Sequence, residues 1–181
     1  MRARAPRKPR PPLRKEKLEE LALAYVARFA TTRARLAAYL KRKVAERGWE
    51  GGGEPPIEAI VEKAARAGYI DDAAYALSKA RSLAGRGYGP RRLDQALHAA
   101  GVEEQDGAAA RDHAGREAAE AALRFARRRR IGPYASAPAT PEAREKALAA
   151  MVRAGHDFRI AKAILACRPG DQIDPESLEL P

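Results

Sequence analysis

Three groups of residues in this chain have the types and spacing to do chemistry. Gly85-Arg86-Gly87-Tyr88-Gly89-Pro90, running into Arg91 and Arg92, sets small residues and cations at the start of a helix. Free backbone N–H groups there can hold a phosphate or a carboxylate. Asp71-Asp72 places two carboxylates side by side, the raw material of a divalent-cation site. Basic residues recur at Arg33/Arg35, Lys41-Arg42-Lys43, Arg86/Arg91/Arg92 and Arg127-Arg128-Arg129-Arg130. Brought onto one face, such clusters neutralise a nucleic-acid backbone without reading its sequence.

Each group also has a plainer reading. A dinucleotide fingerprint needs a strand before its glycines, and here a helix precedes them. No Lys-Ser/Thr pair follows, so ATP binding is not expected, and an inter-helix turn competes with the anion site. Adjacent acids at a helix start suit capping and the helix dipole, with Asp71 as N-cap and Ile70 and Tyr75 as a hydrophobic staple across it. No further acids complete a metal site. The basic runs could be solvated helix ends. Few aromatics lie beside them in sequence, so base stacking is not expected.

Catalysis has no foothold: no Ser-His-Asp set, no Cys-His pair in context and no carboxylate pair in a cleft-like setting. The three histidines are scattered; His98 and His156 read as capping or surface residues. The single cysteine, Cys167, excludes an internal disulfide and a multi-Cys zinc site. Neither metal nor cofactor is expected. No apolar run reaches membrane-spanning length and no secretory signal opens the chain, so a cytoplasmic protein is expected.

The elements that must position these residues are helices. In 181 residues, 35 Lys and Arg stand against 24 Asp and Glu, a net charge of +11. Alanine supplies 42 residues, while Leu, Ile, Val and Phe together supply only 30. So lean a composition either fails to fold or packs thin helices around several small cores. Periodicity favours the second. Apolar residues recur at helical spacing along Leu18–Phe29, Leu36–Val44, Ile57–Ala64, Ala73-Leu77-Ala80-Ala84, Leu93–Leu97, Leu148–Val152 and Ile160–Leu165. Thr32, Thr140 and Asp157 are candidate N-caps, Pro90 a first helical residue, and Gly68, Gly101 and Gly155 closing glycines. The stretch 103–130 is helical with a break near Gly115. No window alternates with period two, so the fold class is all-α.

A texture repeats with a period near 50 residues, as in TTRARLAAYLKRK, GPRRLDQALHAAGV and PEAREKALAAMVRAGHD. It predicts three tandem three-helix modules in an elongated, curved array, at 18–70, 71–114 and 115–167. Residues 1–17, with eight bases, one acid and four prolines, read as a flexible basic arm. Residues 168–181 read as a loose acidic tail.

The run Gly68-Tyr69-Ile70-Asp71-Asp72-Ala73-Ala74-Tyr75-Ala76 resembles the GYLDDxxYA signature of the RecX regulatory family. Gly87-Tyr88-Gly89-Pro90-Arg91-Arg92-Leu93, followed by Ala100-Gly101-Val102, is similar to a second segment of that family. Arg153 to Phe158 with Ile164-Leu165 resembles its C-terminal module. The resemblance spans about residues 17–167, and the two central motifs at this separation are specific. It implies a non-enzymatic modulator of RecA recombinase in DNA repair, recombination and the SOS response. Such a protein binds the RecA filament and single-stranded DNA, with double-stranded DNA a further form, and lowers ATPase and strand exchange. It further implies that Gly68, Tyr69, Asp71, Asp72, Tyr75, Gly87, Gly89 and Pro90 are structural, with Asp71 and Asp72 building the joint between modules. A monomer is expected. The competing expectation is a nucleic-acid-binding protein that acts by charge and competes for DNA.

Overall fold

The computed structural model describes residues 11–178. Among them the secondary structure is helical, with one isolated β-bridge and no strand. The chain divides between Asp72 and Ala73 into two compact units.

The first unit is a three-helix module of α1 (Lys15–Val26), α2 (Arg33–Arg47) and α3 (Ile57–Arg66). Thr32 starts α2 as expected: its hydroxyl accepts from the Arg35 N–H at 3.2 Å, satisfying one of the donors a helix N-terminus leaves open. The module's core gathers Leu18, Ala22, Leu36, Leu40, Ile57, Ile60 and Ile70. Phe29 continues the α1 spacing but stays half-exposed, because α1 ends at Val26.

The proline-rich arm ends earlier than its composition suggests. Leu13 lies inside the expected arm, yet it is completely buried in the first core. Its N–H donates to the Gly48 carbonyl and its carbonyl accepts from the Glu50 N–H, both at 2.9 Å. These bonds form a parallel bridge to Trp49. Arg47 donates to the Pro11 carbonyl, and Arg14 grips Glu50 through two bonds at 2.6 and 2.9 Å. One apolar residue among bases and prolines is enough to seat this strap. The rest of the expected arm, residues 1–10 with Arg2, Arg4, Arg7, Lys8 and Arg10, lies outside the described residues.

From Asp72 the chain runs through α4 (Asp72–Gly85), α5 (Pro90–His98), α6 (Glu104–Arg116), α7 (Ala118–Arg129), α8 (Pro141–Arg153) and α9 (Phe158–Ala166). Single 3₁₀ turns lie between α7 and α8 at Gly132–Tyr134 and after α9 at Pro175–Leu178. Pro90 takes the first turn of α5 and Thr140 caps α8 through the Ala143 N–H. Asp157 caps α9 through the Arg159 N–H at 2.7 Å. Gly68, Gly101 and Gly155 adopt the left-handed φ that ends the helices before them. The expected break near Gly115 falls at Glu117.

The second unit holds two cores. One gathers Ala76, Ala80, Leu83, Leu93, Leu97 and Ala110; the other gathers Leu123, Phe125, Met151, Ile160 and Ile164; Tyr88 packs against both. Two expectations are corrected here. Helix α4 buries Ala76, Ala80, Leu83 and Ala84, leaving Ala73 exposed. Alanines on every side of α4 made the expected Ala73-Leu77 stripe indistinguishable from the true one. The acidic tail is also anchored: Leu178 is buried in the last core, and the Gly170 N–H donates to the Pro133 carbonyl at 2.9 Å.

Truncating Leu13 tests the strap. Leu13→Ala is expected to destabilise the first unit by roughly 2–5 kcal/mol, the cost of emptying a well-packed leucine site. A substitution in a flexible arm would leave the denaturant midpoint unchanged.

Candidate interaction surface

The glycine segment 85–90 forms a backbone joint within the second unit. The Gly89 N–H donates to the Ala154 carbonyl at 3.0 Å and the Arg91 N–H to the Gly155 carbonyl at 3.2 Å. The Arg92 N–H is turned to Gly89 at 3.0 Å. A Cβ on Gly89 would collide with the Gly155 carbonyl, and one on Gly155 with the Arg92 backbone nitrogen. On Gly87, whose φ is +72°, a Cβ would stand 2.9 Å from the Phe125 nitrogen. These glycines let two chain segments meet at backbone distance. The Gly89, Arg91 and Arg92 N–H groups, expected to be open to an anion, are spent on protein carbonyls.

His156 seals the joint. Expected as a capping or surface residue, it is 1% exposed, and a ring edge faces Phe125 at a centroid distance of 5.3 Å. Its Nε2 lies 3.2 Å from the Gly87 carbonyl. A carbonyl only accepts, so Nε2 carries the hydrogen and Nδ1 is bare, buried and without a partner. Burial pushes the imidazole pKa down from 6.5 to about 4; the bond to Gly87 opposes this and the Arg128 charge adds to it.

The expected triplet Arg86/Arg91/Arg92 is split by this geometry. Arg91 faces Asp157 at 3.9 Å and Arg92 reaches Gln95 at 3.3 Å. Arg86 instead joins the arginines that end α7. Arg128 donates to the Arg86 carbonyl, and the two guanidiniums lie 6.0 and 5.2 Å from the Tyr88 ring centroid. Arg127 stands 5.0 Å from the Tyr134 ring and Arg129 5.7 Å from Phe125. Arg130 closes α7 with a left-handed φ of 54°.

Aromatic rings therefore do lie beside the bases, contrary to the reading from sequence, because Tyr88 and Tyr134 come from other elements. All five arginines are exposed. Among the described residues none of the five forms an ion pair. Tyr88 under Arg86 and Arg128 was the missed residue, and nothing in the linear sequence ties it to α7.

The basic residues of the first unit are less available. Lys41 pairs with Glu58 at 3.1 Å, and Lys43 and Arg42 share Glu46 at 2.6 and 3.7 Å. Both of the latter also lie within 6 Å of the Tyr39 ring. Arg33 and Arg35 occupy the first turn of α2, where the helix dipole disfavours cations. Asp72 answers this. Its carboxylate is buried, and it accepts from the Arg33 N–H at 3.0 Å.

Asp71 stands immediately before the first residue of α4, the N-cap position. Ile70 is buried in the first core, Tyr75 is half-buried against the next, and Tyr69 is exposed. Among the described residues no three His, Cys, Asp or Glu side chains converge as metal ligands, and no helix is long and apolar enough to cross a membrane.

These features define an all-helical protein of small cores whose glycine turn locks one helical module to the next. Residues 71–110 match the family model described as "RecX, second three-helix domain". The chain is 37% identical over 174 residues to the "Regulatory protein RecX" of Myxococcus xanthus, covering 92% of each. It is 39% identical over 84 residues to the protein of that name from Thermus thermophilus, covering 46% of this chain and 56% of that one. The crystal structure of RecX from Lactobacillus salivarius shares the fold, with TM-score 0.60 and 20% identity over 83% of this chain and 94% of that one. A second RecX crystal structure gives 0.59 and 23%, covering 83% and 70%. The chain belongs to the RecX family of regulatory proteins.

The depressed His156 pKa makes the joint acid-sensitive with a definite sign. The unfolded chain takes up this proton near pH 6.5 and the folded one only near 4. Stability from the neutral imidazole is thus complete above 6.5 and drains away as pH falls towards 4, roughly 3 kcal/mol over the window. His156→Gln, which keeps a donor for Gly87, is expected to flatten this part of a stability-versus-pH curve. An unchanged slope in the variant would assign the acid sensitivity elsewhere.

Proposed function

We propose that this chain is a regulator of the RecA recombinase, binding the RecA–single-stranded-DNA filament and lowering its ATPase and strand exchange in recombinational repair. Family membership supports RecA as the partner. The single observation that supports the contact surface is the group of exposed arginines, Arg86 and Arg127–Arg130, of which all but Arg130 rest on Tyr88, Phe125 or Tyr134, and which have no carboxylate partner among the described residues. Guanidiniums stacked on rings lose less rotamer freedom on binding than free ones, and they suit phosphates or partner carboxylates. Within the second unit Arg91 and Arg92 contribute a smaller share, and the first unit carries its own bases, Arg33, Arg35 and Lys41–Lys43, several of which already face acids. A helical array touching more than one RecA subunit shifts the filament between its arrangements only through unequal affinity for them. The rival mechanism is competition for DNA by charge alone.

Two measurements separate them. A filament regulator inhibits RecA ATPase at ratios well below one chain per RecA, whereas a competitor must come close to saturating the strand. Replacing Arg127, Arg129 and Arg130 together by Ala is expected to weaken filament binding and to flatten its logarithmic salt dependence by about 2 if those side chains neutralise phosphates. Helix content should be unchanged. Full affinity and an unchanged salt slope in that variant would remove these arginines from the interface.

A further inference from the structure

Beyond the filament reading, with which it shares only Arg130, the α8–α9 end of the second unit carries a trough with a definite chemistry. Two hollows of about 280 and 420 Å³ share Ala139, Arg144 and Leu165 as a common wall. The floor is apolar. Helix α8 buries only Met151 of its 13 residues, and Leu148 is half-buried at the trough. Across from it Phe158 remains 50% exposed, one of four large hydrophobic side chains so open among the described residues. The rim is cationic on balance: Arg130 and Arg168 at one hollow, Lys162 at the other, and Arg144 at both, against Glu145 in the lining and Asp171, whose carboxylate accepts from the Arg168 N–H at 2.7 Å. All four cations are exposed, and among the described residues none of them is ion-paired.

Arg144 and Leu148 are four residues apart on α8, and Phe158 and Lys162 four apart on α9. Each helix therefore offers one cation and one apolar side chain to the same hollow. Arg130 holds a left-handed conformation, where glycine would be the ordinary choice.

From this arrangement we infer that the trough is a docking site for an acidic peptide segment carrying apolar side chains, supplied by a protein partner. The apolar residues cover the alanine, leucine and phenylalanine floor, and flanking carboxylates meet the four cations. A nucleic-acid backbone would satisfy the cations alone and leave the floor in water. Charge complementarity at such a rim governs encounter and register, while the apolar contact sets residence.

Cys167, the only cysteine of the chain, lines one hollow and is half-buried, which makes it a footprint for the occupant. The test uses the full chain and a fluorescent short peptide in which Leu and Phe alternate with Glu and Asp. A counterpart with Lys for each acid and a single-stranded oligothymidylate serve as the other arms. The acidic peptide is expected to bind and to slow alkylation of Cys167. The charge reversal R144E/K162E, both at exposed positions, should weaken it roughly tenfold or more and restore alkylation, with helix content unchanged. The lysine peptide should do neither. The inference is overturned if the acidic peptide does not bind, if it binds without shielding Cys167, or if the oligonucleotide shields Cys167 in its place. RecA ATPase inhibition is read separately on R144E/K162E, so failure of this site and failure of the filament reading are distinguishable.

Discussion

The second unit depends on one backbone-to-backbone approach. Residues 87–92 and 154–156 come close enough to exchange main-chain hydrogen bonds, and that is possible only where neither strand of chain carries a Cβ. Three consequences follow from the contact. It consumes donors that a helix N-terminus otherwise presents to ligands. It buries His156 as a neutral ring under the Gly87 carbonyl. It also holds Tyr88 between two cores, where its ring supports Arg86 and Arg128. With so few large apolar residues, polar main-chain closure carries part of the work that a bigger core would do.

The distribution of charge has the same logic. The four arginines that close α7 stand at the negative end of its dipole, which favours them, and ring faces beneath Arg127, Arg128 and Arg129 favour those three again. Among the described residues they have no carboxylate partner, so their charge is available outward. Around α2 the bases Lys41–Lys43 meet Glu46 and Glu58, and the dipole penalty on Arg33 and Arg35 is met by buried Asp72. Two basic stretches that look alike in sequence therefore differ in what they can offer a partner.

Local signals were legible from the residues alone. Thr32, Thr140 and Asp157 as caps, Pro90 as a helix opener, and Gly68, Gly101 and Gly155 as helix ends all act through neighbours within a few positions, and sequence states those neighbours directly. Misreadings arose where the partner is distant or the signal degenerate. Leu13 is hidden among prolines and arginines, and its partners Gly48 and Glu50 lie beyond two helices. The α4 stripe was misplaced because alanine marks both faces. His156 looked peripheral because its partner, Gly87, is 69 residues away. The glycine turn was ambiguous for a chemical reason: a phosphate cradle and a close backbone joint both require the absence of Cβ. The residues alone leave open which of these two the glycines serve, whereas the RecX-like motifs imply the structural role.

Amide hydrogen exchange at Gly89 and Arg91 tests that choice most directly. If their N–H groups are bound to Ala154 and Gly155, both amides exchange as slowly as the interior of α5. Added phosphate or single-stranded DNA should not alter them. Exchange at the rate of an open loop, slowed when an anion is added, would contradict the account and restore the glycine turn as a binding site.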